Sequence, residues 1–600
     1  MTKSDFRHVQ SVQEFTGLTC STTSRGDLPQ CLHAGTTLTY KADMTINLNS
    51  DTDVINTPEL LAAGAQLIDV REPDEFAAGT IPGAINIPLQ EFIHRLPTFD
   101  TSVPLAILCR SGNRSGQATE IFREAGFQAV NLQGGMLAWD AHHLASETLL
   151  CQQFYLDCLS QASYLIIDKT TQRAVVVDPT RDVQQYIDTA KIYGAKIELV
   201  IETHFHADFL SGHLELAHAT GATIGYGARA HPEFPTHLFT DGEKYSLGNV
   251  QLEIRHTPGH TPESISIVVR EHANDAVPYA VLTGDTMFIG DVGRPDLLVS
   301  VGHTSNELGH MLYNSLHQQL LTLPDATRVL PAHGAGSACG KNLSTETMST
   351  IGEQRLTNYA LLAPNVDAFI DIVTEGQPSA PSYFSYDAQL NSQNHAVLDE
   401  HSPPQQLSLA EALSLQHEGV SFIDTRDAQF FATGYLKGSI NVGLQGRYAE
   451  YAGAVISPTE KIVIVTEPGQ ELESKVRLAR IGYDNVVGWL SINDLTAAPQ
   501  QMLQASRLTP QQFRTRTSAI HPLQIVDVRS ANESHLGSFA NAINIPIAEL
   551  QQRLHELDAT RPTIVFCAGG YRSSIAASVL RRAGFTDVSD VLGGYEAMRA

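Results

Sequence analysis

The sequence predicts a multidomain protein of mainly parallel α/β units, and three observations carry that expectation. The chain has 600 residues, too many for one hydrophobic core, and a length prior gives about four domains. An apolar strand ending in Asp-x-Arg, a short Ile-Asn strand, a further apolar strand and a helical segment closed by Gly recur three times along the chain. Between the first and second occurrence the texture changes to apolar strands whose ends carry histidine-rich turns.

Composition bounds the function. Hydrophobic residues make up 42% and charged residues 17%, as in a globular chain. The net charge of -26 argues against nucleic acid or a membrane as the main partner. No apolar run approaches the roughly 20 residues needed to span a bilayer, and the N-terminus lacks a compact apolar signal segment. Seven cysteines without a C-x-x-C pair indicate free thiols in a reducing compartment, so a cytoplasmic location is expected.

Taken in order, residues 1–50 are Ser/Thr-rich without periodicity and read as a mobile tail. The first repeat, residues 51–146, has Leu67-Ile68-Asp69-Val70-Arg71, Ile85-Asn86-Ile87-Pro88, the strand 105–108 ending at Cys109, and Ala125-Gly126-Phe127. Residues 150–385 are the histidine-rich unit. Residues 386–405, rich in Asn, Gln, Ser and Pro, read as a linker. The second repeat, 406–500, has Asp424-Thr425-Arg426 and Ile440-Asn441-Val442, but Thr466 stands where the first has its cysteine. The third, 506–600, has Asp527-Val528-Arg529, Ile543-Asn544-Ile545-Pro546, Cys567 and Gly584. In the first and third repeats 40 residues separate Asp from Cys and 17 separate Cys from Gly. The strand before each cysteine is apolar almost throughout, as in a sheet buried on both faces. The helical segments at Ser115–Ala125 and Ser573–Ala583 end at a Gly suited to a C-cap.

In residues 150–385 the chemistry sits at strand ends. Thr203-His204-Phe205-His206-Ala207-Asp208-Phe209 leaves an expected strand, and Thr257-Pro258-Gly259-His260-Thr261, Thr283-Gly284-Asp285 and Pro331-Ala332-His333-Gly334 follow. In the last three segments each polar side chain sits among Gly and Pro, where turns aim it into a cleft. A lone histidine is ordinarily a surface or satisfied core residue, but this many such elements in series point to a metal. The unit resembles the persulfide dioxygenase branch of the metallo-β-lactamase superfamily, also through Gly293-Arg294-Pro295-Asp296. The resemblance implies an αββα sandwich and one Fe(2+) per chain held by His204, His260 and Asp285. This two-histidine, one-carboxylate set leaves positions open for O2 and substrate. His206, Asp208 and His333 would orient the ligands and a bound water. Arg294 would bind the carboxylate of a glutathione carrier; the alternative is a salt bridge to Asp291 or Asp296.

The full form of the turn is T-H-x-H-x-D-H, and it holds two metals. Here Phe209 replaces the last histidine, which favours one metal and shifts the expectation from zinc hydrolysis towards iron and oxygen. A glyoxalase II-like thioester hydrolase, which needs two metals to make hydroxide, is the alternative on the same fold. Cys339, in Pro331–Lys341, is either a small buried residue or a further catalytic thiol.

Cys109-Arg110-Ser111-Gly112-Asn113-Arg114-Ser115 and Cys567-Ala568-Gly569-Gly570-Tyr571-Arg572-Ser573 each follow a buried strand and open a helix. Backbone N–H groups at a helix N-terminus favour thiolate. The three repeats resemble rhodanese domains, which implies sulfur transfer by Cys109 and Cys567 with Arg114 and Arg572 in the loops. A dual-specificity phosphatase loop is one residue longer. The Asp-x-Arg pairs read as structural. The second repeat, Thr466-Glu467-Pro468-Gly469-Gln470-Glu471, has neither cysteine nor arginine and is left a scaffold or docking role.

Together the resemblances imply an iron-dependent persulfide dioxygenase with thiosulfate sulfurtransferase activity, a homo-oligomer serving sulfide detoxification. It oxidises a low-molecular-weight persulfide such as glutathione persulfide with O2 to sulfite, while the rhodanese cysteines give or consume thiosulfate. A non-enzymatic sulfur-relay scaffold is the remaining alternative, opposed by the complete His204, His260 and Asp285 set.

Overall fold

The computed structural model describes residues 51–77, 79–91, 99–297, 302–377 and 379–599. The tail expected over residues 1–50 lies outside the described residues, as do Cys20 and Cys31. No described helix is long and apolar enough to cross a membrane.

Each repeat folds around a parallel sheet. In the first the strand order is Thr52–Asp53, Ala129–Gln133, Leu105–Leu108, Gln66–Asp69, Ile85–Asn86. The third repeats that order from Ser506–Leu508 to Ile543–Asn544. The second has four parallel strands, Ile440–Asn441, Ser421–Asp424, Ile462–Thr466 and Val486–Ser491. The central strands Leu105–Leu108 and Thr563–Phe566 are buried at every position, so the cysteines that follow them emerge at the C-terminal ends of the sheets. There open α/β sheets place their sites.

The sequence pattern shared by the repeats has a structural cause. The guanidiniums of Arg71, Arg426 and Arg529 pair with Asp69, Asp424 and Asp527 at 2.7, 2.6 and 2.6 Å. Each also donates to a backbone carbonyl eight residues on, at Gly79, Gly434 or Gly537. The amides of Asn86, Asn441 and Asn544 each donate to the carbonyls of that Asp and Arg. These buried groups splice neighbouring strand ends together and pair both carboxylate oxygens of each aspartate.

Residues between the first and second repeats build two facing sheets. One runs from His237–Phe239 through Lys196–Ile201 to His143–Ala145, the other from Lys244–Ser246 through Ala280–Gly284 to Ser349–Thr350. Their inner faces share one apolar core that includes Tyr164, Val175, Leu199, Leu252, Ile267 and Leu282. The helices Gln184–Ile192 and His213–Thr220 cover the outer face of the first sheet, and Ser305–Ser315 and Val366–Thr374 that of the second. The result is the expected αββα sandwich.

The units are not separate beads. One core joins Phe209, Phe288, Tyr383 and Phe384 of the sandwich to Tyr448, Ile464 and Ile481 of the second repeat and Val565 and Ile575 of the third. Arg181, fully buried, pairs with Glu215 at 2.8 Å and, across the boundary, with Asp484 at 2.7 Å. The stretch 386–405, expected as a linker, is instead seated on the sandwich at its start. Asn391 is buried and accepts from Ser211 N while donating to the carbonyls of His206 and Phe209. Its amide satisfies three backbone groups of the histidine turn, which polar composition alone does not reveal.

Candidate metal centre and cysteine loops

The strand Lys196–Ile201 delivers the turn 203–209 to the edge of the sandwich, and Asp178 fixes its geometry. Asp178 has a left-handed backbone, φ 51°, and its carboxylate accepts from Thr203 N at 2.7 Å and Thr203 Oγ1 at 2.9 Å. With its proton given to Asp178, the Thr203 hydroxyl accepts from His204 Nδ1 at 2.9 Å. His260 Nδ1 donates to the carbonyl of Arg294 at 3.0 Å. Both histidines therefore carry their proton on Nδ1 and turn a bare Nε2 inward, the tautomer a metal ligand needs.

The two Nε2 atoms lie 3.9 and 3.4 Å from Asp285 Oδ2. The donor atoms of His204, His260 and Asp285 all fall within 4.8 Å of one another, and all three side chains are buried. Asp285 Oδ2 is buried without a hydrogen-bond partner, an expensive arrangement unless a cation faces it. Burial keeps both histidines below their ordinary pKa and thus neutral. Burial works against the Asp285 carboxylate, but His333, His204 and His260 hold it below the usual range. The residues present fit one divalent metal. Gly293 is required beside them, since a Cβ there would lie 1.9 Å from the Asp285 carbonyl and 3.0 Å from His260 Nδ1.

The remaining turn residues do other work. His333 bridges Asp285 Oδ1 and Asp208 Oδ2 at 2.7 and 2.8 Å. Burial disfavours its charge, yet those two carboxylates raise its pKa well above the ordinary value. His206 turns its Nε2 to Asp178, at 3.0 Å, and Glu202, at 3.4 Å. Burial is again outweighed, and its pKa rises to about 10. Asp208, His333 and Cys339 bring donor atoms together in a second buried set, as do Asp178, Glu202 and His206. Arg294 is buried and pairs with both oxygens of Asp296, at 2.6 and 2.7 Å, so one of the two salt bridges weighed from sequence forms. A cavity of about 660 Å³ lies beside the turn, lined by Phe205, Ala207, Thr261, Glu263, Leu297 and Phe384 among others.

Phe209 is fully buried, its ring 4.3 Å from that of His206, and belongs to the core shared with the second and third repeats. The next residue donates its N–H to the Arg480 carbonyl of the second repeat at 2.8 Å. The ligand missing from the turn is thus a packing residue that fastens the turn to its neighbour.

The two cysteine loops are nearly superposable in their contacts. Cys109 Sγ accepts from Gly112 N at 3.1 Å and lies 3.2 Å from Ser115 Oγ; Cys567 Sγ accepts from Gly570 N at 3.1 Å and lies 3.6 Å from Ser573 Oγ. Burial raises the Cys109 thiol, but hydrogen bonds from Ser115, Ser111 and Gly112 outweigh it and set the pKa below the usual value. Gly135 and Gly594 press against the loops, where a Cβ would lie 2.3 Å from the Cys109 or Cys567 carbonyl. Arg114 and Arg572 are held bidentately by Glu75 and Glu533. These glutamates, like Asp178 and Glu202, were not singled out from sequence. Their signal is an equal offset, six residues after the aspartate in both cysteine-bearing repeats, where the second repeat has Phe430. In that repeat Thr425 donates its hydroxyl to Thr466 at 2.7 Å, closing the position a thiolate would occupy.

At neutral pH an alkylating probe is expected to label Cys109 and Cys567 well ahead of Cys151 and Cys339. Only thiolate reacts. Burial lifts Cys151 to about 12 and, with Asp208 and Asp285 adding to it, raises Cys339 well above its ordinary value. Peptide-resolved labelling rates check this, and faster labelling of Cys151 than of both loop cysteines would defeat it.

A family model of the metallo-beta-lactamase superfamily matches residues 156–333, and the rhodanese-like domain model matches residues 57–142, 408–491 and 509–600. The mitochondrial persulfide dioxygenase ETHE1 of Homo sapiens is 28% identical over 219 residues, 36% of this chain and 76% of its own. Glyoxylase B2 of Dictyostelium discoideum is 30% identical over 246 residues, 35% of this chain and 78% of its own. Among solved structures, a metallo-beta-lactamase from Staphylococcus aureus subsp. aureus COL is 31% identical with a TM-score of 0.54, covering 57% of this chain and 99% of that one.

Proposed function

The chain belongs to the metallo-β-lactamase superfamily and carries three rhodanese-like domains, and on that premise we propose that it oxidises a low-molecular-weight persulfide with O2 and passes sulfane sulfur through Cys567. The reaction takes a persulfide, O2 and water to the free thiol, sulfite and two protons. The observation that carries it is the closed set of two neutral imidazole Nε2 atoms and one carboxylate around a buried Asp285 Oδ2 without a hydrogen-bond partner. A ferrous ion held there supplies the redox chemistry that joins O2 to sulfur. The protein positions the reactants: His333, tied to Asp285 and Asp208, fixes the carboxylate. The largely apolar cavity by Phe205 and Thr261 gives the carrier thiol a place to bind beside the turn. Since Arg294 is engaged by Asp296, recognition of a glutathione carboxylate by Arg294 requires exchange of that pair.

The test is anaerobic purification, metal analysis, and O2 uptake with a panel of persulfides. The expected outcome is one iron per chain and persulfide-dependent O2 uptake with sulfite as product. A thioester hydrolase is the competing reading, and one observation favours it: Cys339 adds a third donor atom to Asp208 and His333 in a second buried set. Two zincs per chain with thioesterase activity would establish that alternative.

Transfer by Cys567 makes a separate claim. Cys567→Ser is expected to leave O2 uptake with persulfide nearly intact while the product shifts from thiosulfate to sulfite. Cys109→Ser should move that ratio less. An unchanged thiosulfate yield in Cys567→Ser rules out the relay, and a large loss confined to Cys109→Ser moves it to the first repeat.

A further inference from the structure

The cysteine-less second repeat has no thiol chemistry of its own, yet it presses a helix against the loop of the third. A cavity of about 220 Å³ lies at the C-terminal ends of the third repeat's strands, where an α/β sheet places its site. On one side stand Arg572 from the Cys567 loop, and Val528, Ser530 and Ile547, which follow the strands Gln524–Asp527 and Ile543–Asn544. The opposite wall is foreign to that repeat. Tyr451 and Ala454 come from the helix Tyr448–Val455 of the second repeat, and Gly336–Ala338 from the sandwich.

This wall is fastened. The Tyr451 ring meets that of Tyr571, the residue before Arg572, at 5.6 Å and 65°. Tyr571 Oη donates to the Gly443 carbonyl of the second repeat at 2.9 Å, and Asn532 Nδ2 donates to the Gly376 carbonyl at 2.9 Å. The shared apolar core runs behind it.

We infer that Tyr451 and its helix make the second repeat the specificity wall of the Cys567 site, admitting a small sulfur oxyanion and barring bulkier donors. The inference rests on the reading of Cys567 as a sulfur-transfer cysteine. Two features set the ligand class. The cavity, about 220 Å³, is below the roughly 300–1,000 Å³ of pockets that enclose drug-sized ligands, a size that suits sulfite or thiosulfate. Arg572, held by Glu533, is the one cation among the described lining residues, the one carboxylate, Glu450, is paired with Arg447, and Ser337, Ser530 and Asn532 are neutral hydrogen-bonding groups, so an oxyanion would bind at Arg572 by sharing it with Glu533. In the transfer, the sulfur lone pair of sulfite attacks the terminal sulfur of the Cys567 persulfide. A new S–S bond gives thiosulfate, the bond to Sγ breaks, and its electron pair remains on the cysteine as thiolate. No external oxidant or reductant enters.

The experiment uses the full chain with Cys109→Ser, so that only Cys567 reports, and measures thiocyanate formed from cyanide with either thiosulfate or a bulky arenethiosulfonate as donor. The ratio of kcat/KM for the two donors is expected to favour thiosulfate. Tyr451→Ala should cut that preference about tenfold, mainly through a lower KM for the bulky donor, and Tyr451→Phe should restore it. Ala454→Phe, which fills the cavity, should raise KM for thiosulfate. A donor ratio unmoved by both Tyr451→Ala and Ala454→Phe overturns the specificity wall while leaving Cys567 a transfer cysteine. No thiocyanate from either donor in the parent chain overturns the transfer reading, and the wall with it.

Discussion

Asp285→Ala is expected to purify without iron and to lose persulfide-dependent O2 uptake by about a hundredfold or more. The carboxylate is the one anionic donor among the three converging groups, and its Oδ2 is the atom both Nε2 groups face. Without it two neutral imidazoles remain, too few to retain a divalent ion against solvent. His260→Ala should give the same loss by a different route, because the Nε2 donor goes together with the Nδ1 hydrogen bond that orients it. His206→Ala makes a useful contrast. Its ring is turned to Asp178 and Glu202, so iron affinity should weaken by about 10- to 100-fold instead of vanishing. Metal analysis beside O2 uptake separates these cases. Stoichiometric iron in Asp285→Ala would remove that residue from the ligand set.

The second large effect is expected at Phe209. Phe209→Ala should destabilise the chain by about 3–5 kcal/mol, the usual range for deleting a buried phenylalanine, with Phe209→Leu costing less than half of that. The ring is fully buried against His206 and within a core that spans three units. The neighbouring Leu210 N–H is committed to Arg480 of the second repeat, so the turn cannot collapse freely into the hole. O2 uptake should fall as well, because the same turn carries His204. In a chain of several domains a single unfolding free energy is not well defined, so the graded series is best read as shifts of the transition reported by the sandwich. A loss within about 0.5 kcal/mol, as at an ordinary surface site, would show that the turn does not depend on this packing.

Much of the fold and of the candidate metal set was legible in the sequence for local reasons. The strands 105–108 and 563–566 announce themselves as continuous apolar runs before a cysteine, and the Asp-x-Arg and Ile-Asn signatures report strand-end hydrogen bonds made within a few residues or one strand away. His260 and Asp285 stand in Gly- or Pro-bounded turns and His204 in a histidine-rich turn after an apolar strand, all legible locally, while the choice of these three as the ligand set is what the family resemblance implies. Asp178 escaped notice because Val177-Asp178-Pro179 looks like any strand exit; its left-handed φ and its grip on Thr203 are visible only in three dimensions. The stretch after residue 386 reads as a linker because polar composition does not distinguish a solvated segment from one whose Asn391 amide is spent on a neighbouring turn.

The sequence by itself determined four α/β units, three of them repeats, and the residue types that bear chemistry in each. Periodicity, turn residues and motif spacing are written in neighbouring positions, and the chain's local stereochemistry translates them without reference to the rest. Only the tertiary structure decided why Phe209 stands in the histidine's place, that Cys339 lies beside Asp208 and His333, and that Tyr451 of a cysteine-less repeat closes the cavity at Arg572. The Phe209 and Tyr451 contacts join residues more than a hundred positions apart across domain boundaries, and Cys339 meets Asp208 across 131 positions within one domain. They depend on how folded surfaces fit together, which no local pattern along the chain records.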